Sequence, residues 1–332
     1  MVIPLLSLAL MFFSVVSFTA EKPKNKGPLL TNSIYPFSIP FINPLPESAQ
    51  TLGEGNKRLV VLSNYGNTFN YDVDGMDNGF QLDMDLENLR ILVDFDYGLT
   101  ENIDIGAEIS YNIQYGGFFD PVIQWFHGVF GFPNANRENV QDNLFRLGVK
   151  NDQGTWIDIS EPTAGLGDIL LKGKYRLYDD SRQGLFIGIQ PLLKIPLGSE
   201  ALLLSNGCID FGVNLLAEKR SNRFSVYINL GWFHVGKPEK LTIFEFNNDL
   251  FSYVVGLEYV LNDDWSFYGQ IDGNTSPYMS GHNRLDDSNA TINVGLKTVI
   301  TESTLLQVSF SEEFFTFATT DVTLIVAMIF YI

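Results

Sequence analysis

Apolar and polar residues alternate along most of the chain. In YGLTENIDIGAEISY (97–111), Ile103, Ile105, Ala107, Ile109 and Tyr111 share one face of an extended strand, and Asp104, Gly106, Glu108 and Ser110 share the other, because successive strand side chains point to opposite sides. The same unit, two alternating runs around a short polar turn, recurs as YVLNDDWSFYG (259–269), TVITESTLLQV (298–308) and, more loosely, YRLYDDSRQGLFIG (175–188). The runs are about ten residues long, the length a tilted strand needs to cross a bilayer.

The alternation and its turn signals predict strands at 57–71, 80–98, 101–114, 166–178, 184–196, 208–218, 223–236, 249–261, 264–274, 289–300, 303–313 and 321–332. About twelve strands is an even number, as single-chain bacterial barrels require. Connections near 98–102, 178–184, 218–223, 261–264 and 300–303 are short, and the intervening ones are longer. Short periplasmic turns, long outer loops and two periplasmic termini follow. The expected fold is all-β: a transmembrane antiparallel up-and-down β-barrel with one short amphipathic helix in a long loop.

The apolar faces, such as Leu89, Ile91, Val93, Phe95 and Tyr97 or Phe251, Tyr253, Val255, Leu257 and Tyr259, would meet lipid. Tyr97, Tyr175, Tyr259, Trp232 and Trp265 fall near strand ends, where an aromatic girdle belongs. The opposite face supplies the lumen candidates: Asp94, Asp96, Asp104 and Glu108 from two neighbouring strands, and Lys172, Lys174 and Arg176 from a third. Acidic and basic stripes there could pair across strands. The final strand, DVTLIVAMIFYI, keeps Val322, Leu324, Val326, Met328, Phe330 and Ile332 in register; it resembles the C-terminal signal by which the assembly machinery takes up outer-membrane barrels. A soluble β-sandwich or lipocalin-like barrel would alternate too, but would not show apolar outward faces over so many strands.

Three segments stand apart. Residues 1–20, MVIPLLSLALMFFSVVSFTA, have the apolar stretch and following small residues of a cleaved secretory signal, with Ser17 or Ala20 at the processing site, though without a basic start. Residues 21–56 are Pro-rich and aperiodic, so they suit neither helix nor central strand. They form an extended periplasmic arm or a plug tucked into the barrel, with the barrel proper over 57–332. The third is GGFFDPVIQWFHGVFGFPNANRENV, in the long loop after the third strand. Asp120 as cap, Pro121 at the first helical position, Phe119, Val122, Ile123, Phe126 and Phe130 at helical spacing, and Gly131 at the end predict a helix. That helix, with His127, would constrict the mouth or pack on the rim.

The combination of INPLPESAQTLGEGNKRL, YGLTENIDIGAEI, GGFFDPVIQWFHGVFGFPNANRENV, GLGDILLKGKYRL and QIDGNTSPYMSG resembles the family catalogued as domain of unknown function 3187 of Gram-negative bacteria. The resemblance covers most of the chain beyond residue 20, and Asp120, His127 and Arg137 lie in its most specific part. It implies an outer-membrane-like protein without an established activity, and supplies no catalytic residues.

Composition excludes several function classes. The net charge is −18, against the clustered Lys and Arg that nucleic-acid phosphates call for; an acidic lumen or acidic outer loops would attract cations. The single cysteine, Cys208, permits no internal disulfide. The histidines His127, His234 and His282 have neither metal-ligand spacing nor a serine two residues on, so no nucleophile–base pair or metal cluster is visible. DVDGMDNG (72–79) lacks the distal Glu of a calcium loop, and GLGDI (165–169) lacks the Lys and Ser/Thr of a phosphate loop. No cofactor is expected. The leading expectation is a non-catalytic outer-membrane barrel, a narrow passive channel or transporter for small solutes with membrane lipid around it. The alternatives are a closed structural or surface-interaction barrel and, lower, an outer-membrane enzyme acting on lipid.

Overall fold

The computed structural model describes residues 26–71, 79–131, 137–151, 154–239, 244–314 and 318–332. The suggested signal peptide and the acidic loop with Asp72, Asp74 and Asp77 lie outside the described residues.

Twelve antiparallel strands close into a ring. In chain order they are β1 (Lys57–Tyr71), β2 (Phe80–Thr100), β3 (Ile103–Tyr115), β6 (Thr163–Asp180), β7 (Leu185–Ile195), β8 (Asp210–Ser221), β9 (Phe224–His234), β11 (Asp249–Val260), β12 (Trp265–Asn274), β14 (Asn289–Thr301), β15 (Thr304–Glu313) and β16 (Val322–Tyr331). Each pairs with its neighbours along the chain, and β1 pairs with β16 to close the ring, Arg58 opposite Tyr331 and Asn67 opposite Val322. Main-chain bonds between Lys57 and Ile332 finish the seam at the turn end. A closed ring leaves no strand edge unpaired, the condition for backbone to cross a membrane as sheet.

The expected strands are all present, with ends shifted by a few residues. Two additions lie in the long loops. β4 (Arg146–Asn151) and β5 (Gly154–Ile159) form a hairpin that pairs with the overhanging start of β2, Phe80 opposite Asn151 and Asp85 opposite Arg146. β10 (Glu245–Phe246) and β13 (Tyr278–Met279) make a two-residue ladder between two other loops.

The wall is two-faced. Along β2, Leu92, Asp94 and Asp96 are buried inside, whereas Val93 and Phe95 are exposed outside. Phe251, Val255 and Leu257 on β11, Leu215 on β8 and Leu193 on β7 continue the outer apolar face. Trp232 meets Phe211 edge-on near the loop end, with centroids 6.1 Å apart, and Phe224 lies 5.1 Å from Tyr259 near the turn end. These pairs stand where aromatic girdles flank the apolar band of a membrane barrel.

Candidate functional site

The inside of the ring is polar over most of its height, and the chain's own N-terminal segment fills it. Residues 26–56 thread the lumen, up from the turn end and back to β1. On the way up, Lys26 Nζ donates to Ser266 Oγ at 3.2 Å, the main chain of Leu30 exchanges two 2.9 Å bonds with the Gln307 amide, and Asn88 donates to the Ile34 carbonyl at 3.1 Å. On the return, Lys194 donates to the Pro40 carbonyl at 3.0 Å, Asn229 brackets the main chain of Glu47, and Leu52 N–H donates to Asp104 at 3.1 Å. A Pro-rich segment has few N–H donors of its own to form a ladder. Its buried carbonyls therefore need donors from elsewhere, and the inward-facing amides and ammonium groups of the wall provide them.

At the loop end the lumen is closed by an apolar cluster. Tyr35, Phe37, Phe41 and Ile42 of the threaded segment pack with Leu82, Met84 and Leu86 of β2, Leu147 and Val149 of β4, Phe233, Phe244, Leu250 and Tyr278. Phe37 and Phe41 both meet the Tyr278 ring edge-on, with centroids 5.7 and 5.8 Å away.

At mid-height, β2, β3 and β6 bring acidic and basic stripes together. Register sets Asp94 opposite Glu108, Gly106 opposite Lys172 and Asp104 opposite Lys174. A Cβ at Gly106 would run into the Asp96 carboxylate, so the glycine leaves that carboxylate its room. Lys172 Nζ lies 2.6 Å from Asp94, 3.1 Å from Asp96, 3.3 Å from Glu47 and 3.4 Å from Glu108. Lys174 Nζ lies 3.3 Å from both Glu47 and Asp104. Arg58 reaches Asp96 at 2.6 Å and Asp94 at 3.4 Å, and also pairs with Glu47.

Six of the seven lumen candidates named from sequence thus meet in one buried network. Two members were not singled out there: Arg58, at the start of β1, and Glu47, from the plug. Burial alone would raise the carboxyl of Glu47, but Arg58, Lys174 and Lys172 together hold it well below the usual carboxylate range. Glu47, Asp94 and Asp96 come within 4.8 Å of one another, a spacing that could hold a metal ion. All three already pair with both Arg58 and Lys172.

Arg176 is the exception among the candidates. A register shift between Arg176 and Tyr178 and its place near the turn end take it out of the network; it bonds Asn102 at 2.7 Å and Asp179 at 3.1 Å.

The loop helix, Asp120–Phe130, starts with Pro121 in its first turn and ends on left-handed Gly131 (φ 76°) as expected, but Phe119 rather than Asp120 is its N-cap. The Asp120 carboxylate instead receives Arg137 Nη1 and Asn143 N–H, both at 2.7 Å. Arg137, itself buried, also bonds Asn67 at 2.7 Å, pairs with Asp321 and lies over the Phe69 ring at 4.4 Å.

The expectation that this helix constricts the mouth does not match its contacts. Phe119 meets Tyr65 edge-on at 4.9 Å, and Phe118 stacks on Tyr65 at 5.6 Å. Tyr65 stands on the outward parity of β1, opposite to that of Val60, Leu62 and Asn64. Val122, Trp125, Val129 and Phe130 are exposed, and Ile123 and His127 are half-buried; the Phe126 side chain is outside the described part. The helix stands on the outer wall, and the threaded segment closes the lumen.

Outside the lumen, His234 lies 3.2 Å from Asp249, and His282 accepts from Arg284 N–H at 3.3 Å. They stand on different elements. Below the ion-pair network, at the turn end, the plug leaves a cavity of about 270 Å³. Its basic lining carried no sequence signal, because the contributing residues are scattered from 26 to 297.

A closed antiparallel ring with an apolar outside and a polar, plugged inside defines a transmembrane β-barrel of the outer-membrane type. The chain belongs to the family described as protein of unknown function (DUF3187), whose model matches residues 4–332. Among solved structures it is similar to the COG4313 outer membrane channel from Pseudomonas putida F1, at 12% identity over 86% of this chain and 99% of that one, with a TM-score of 0.58. It is also similar, with TM-scores of 0.45 and 0.39, to the NanC porin (9% identity, covering 82% of this chain and 98% of that one) and to the Ralstonia pickettii toluene transporter TbuX (11%, covering 84% and 90%). No curated protein matches the chain. At these identities the likeness extends to the fold.

Proposed function

We propose that the protein is a narrow passive channel for small solutes in the outer membrane of a Gram-negative bacterium, closed in the state described by its own N-terminal segment. The suggested signal would direct export, and the C-terminal strand would engage the barrel-assembly machinery. The observation that carries the reading is the filling of the lumen. Small barrels are filled by wall side chains, and wider ones enclose a cavity or channel. Here the wall offers polar and charged groups, and the space between them holds a piece of chain bonded through side-chain hydrogen bonds, one ion-pair network and an apolar cluster at the loop end. A solute path needs such a lining, and a gate needs such a piece. Single-channel conductance in a planar bilayer tests this, comparing the full chain with a variant lacking residues 28–52. Rare, short openings in the full chain and a steady current in the variant are expected; silence from a correctly folded variant would sink the reading.

A second reading, a closed structural or surface-interaction barrel, is favoured by one observation. The Glu47–Arg58–Lys172–Lys174 contacts are buried and join plug to wall on two strands, β1 and β6, as a permanent lock would. The same conductance measurement separates the two.

A further inference from the structure

The cavity of about 270 Å³ at the turn end is lined by Lys26, Arg58, Lys174, Arg220 and Lys297, and among the described residues no carboxylate lines it. This is notable in a chain of net charge −18. The basic groups come from the ascending leg of the plug and from four strands of the wall, β1, β6, β8 and β14. Lys26 lies on the ascending leg, and Lys297 of β14 grips that leg through the carbonyls of Lys26 (2.9 Å), Gly27 (3.3 Å) and Pro28, with the Tyr268 ring 5.5 Å from its ammonium. Arg220 of β8 pairs with Glu218 and donates to Gln50 of the descending leg at 2.6 Å. Arg58 and Lys174 face the cavity too, but they are held by Glu47, Asp96 and Asp104. Those carboxylates stay out of the cavity lining. Five basic groups and, among the described residues, no carboxylate face the recess, so its lining favours an anion over a cation.

We infer that this recess is a binding site for a small solute bearing carboxylate or phosphate groups, and that Glu47 is its tethered stand-in. The inference deepens the channel reading and rests on it for the role of the solute. Two sets of contacts carry it. The Glu47 carboxylate satisfies Arg58 and Lys174, two of the five lining cations, from inside the plug. Ser48 and Gln50, which follow it on the same leg, bond Glu218 (2.6 Å) and Arg220 (2.6 Å) at the recess edge. An anion entering the recess meets Arg220, the most exposed of the five basic residues, and can then replace Glu47 on Arg58, whose guanidinium fork suits a carboxylate or a phosphate. Once Glu47 is displaced, the descending leg loses its ion pairs to Arg58, Lys172 and Lys174, so occupancy of the recess weakens the hold on the plug. The volume suits a small organic acid or a phosphate compound rather than a long oligosaccharide, since sites for drug-sized ligands begin at about this size.

The tethered carboxylate competes at an effective concentration on the order of millimolar, so the full chain should bind a free anion weakly, and removal of the competitor should expose the site. Isothermal titration of the refolded full chain with sodium succinate and, separately, with inorganic phosphate, each against sodium chloride of equal ionic strength, reads this directly. Glu47→Gln should tighten saturable binding by at least about tenfold, and Arg220→Met, at the recess edge, should weaken it severalfold in the Glu47→Gln background. Preference for succinate or for phosphate assigns the anionic group. Absence of saturable binding of either probe to a folded Glu47→Gln protein, verified by its heat-modifiable gel mobility, overturns the site; equal affinity of full chain and variant overturns the stand-in role. Should Glu47→Gln fail to fold, Lys297→Met supplies the test in the full chain, and unaltered affinity there overturns the site as well. Saturable binding alongside a silent plug deletion would keep this site and remove the channel reading, and current without binding would do the reverse.

Discussion

Glu47, on the threaded segment, places a carboxylate oxygen 3.3 Å from Nζ of Lys172 on the barrel wall, joining positions 125 residues apart in the chain. Lys172 also serves Asp94, Asp96 and Glu108, so its removal leaves four buried carboxylates short of a cation. Breaking one partner out of a buried ionic network costs about 3–5 kcal/mol. Lys172→Met is therefore expected to lower the urea midpoint of the refolded barrel by an amount in that range. Arg176→Met, on the same strand but at the partly exposed turn end, is expected to lose no more than about 1 kcal/mol. Equal midpoints for the two variants would refute the network's structural weight.

The acid response of the plug follows from the depressed carboxyl of Glu47. A free Glu titrates near 4.3. Because the docked Glu47 sits well below that, it contributes stability that is fully present above about pH 4.3 and is lost only as pH falls through the lower docked value. Docking is thus expected to survive at pH 4, where a free Glu would be largely protonated. Single-channel records of the full chain at pH 7 and pH 4 check this, the prediction being the same low open fraction in both. A sharp opening between them would show that Glu47 is not held by its cations.

Gly98 tests the last contact of the plug before β1. Its N–H donates to the Asn56 carbonyl and its carbonyl accepts from Gly55 N–H, both at 2.8 Å, and a Cβ there would run into the Gly53 carbonyl. The obstacle is backbone, which cannot swing aside as a side chain would. Gly98→Ala is expected to lift residues 52–56 off β2 while leaving the ring intact. The checks are faster trypsin cleavage after Lys57 and Arg58, and an unchanged heat-modifiable band on gels.

What the sequence made legible was whatever its local periodicity controls. Strand faces follow from period-two alternation, so Asp94, Asp96, Asp104, Glu108, Lys172 and Lys174 could be assigned to one side of the wall. The β4–β5 hairpin had a usable signal, Leu147, Val149, Ile157 and Ile159 alternating around a polar turn, but it was hidden inside a long loop. Glu47 had none: a single acid in a Pro-rich segment acquires its role only from Arg58, Lys172 and Lys174, which register brings beside it from β1 and β6. The helix had a clear pattern but no clear place, because periodicity identifies an apolar face without saying what the face meets. Its location is decided by distant partners, Asp120 with Arg137, Asn143 and Asn67, and Phe118 and Phe119 with Tyr65.

The same helix supplies the last prediction. Its exposed Val122, Trp125, Val129 and Phe130 are held on the outer side of β1–β3, above the apolar belt that continues through Ile105 and Tyr111. An apolar stripe continuous with a lipid-facing wall is most stable in the interfacial layer of the membrane, where a Trp ring is favoured. In vesicles containing brominated phosphatidylcholine, Trp125 should therefore be quenched, read as the difference between the full chain and Trp125→Phe, since three other tryptophans contribute background. Excision of 118–131 should abolish that component and leave the conductance of the plug-deleted barrel unchanged, because the helix stands beside the lumen rather than across it. A rise in current on excising the helix alone would return it to the mouth, and an unquenched Trp125 would place its apolar stripe against something other than lipid.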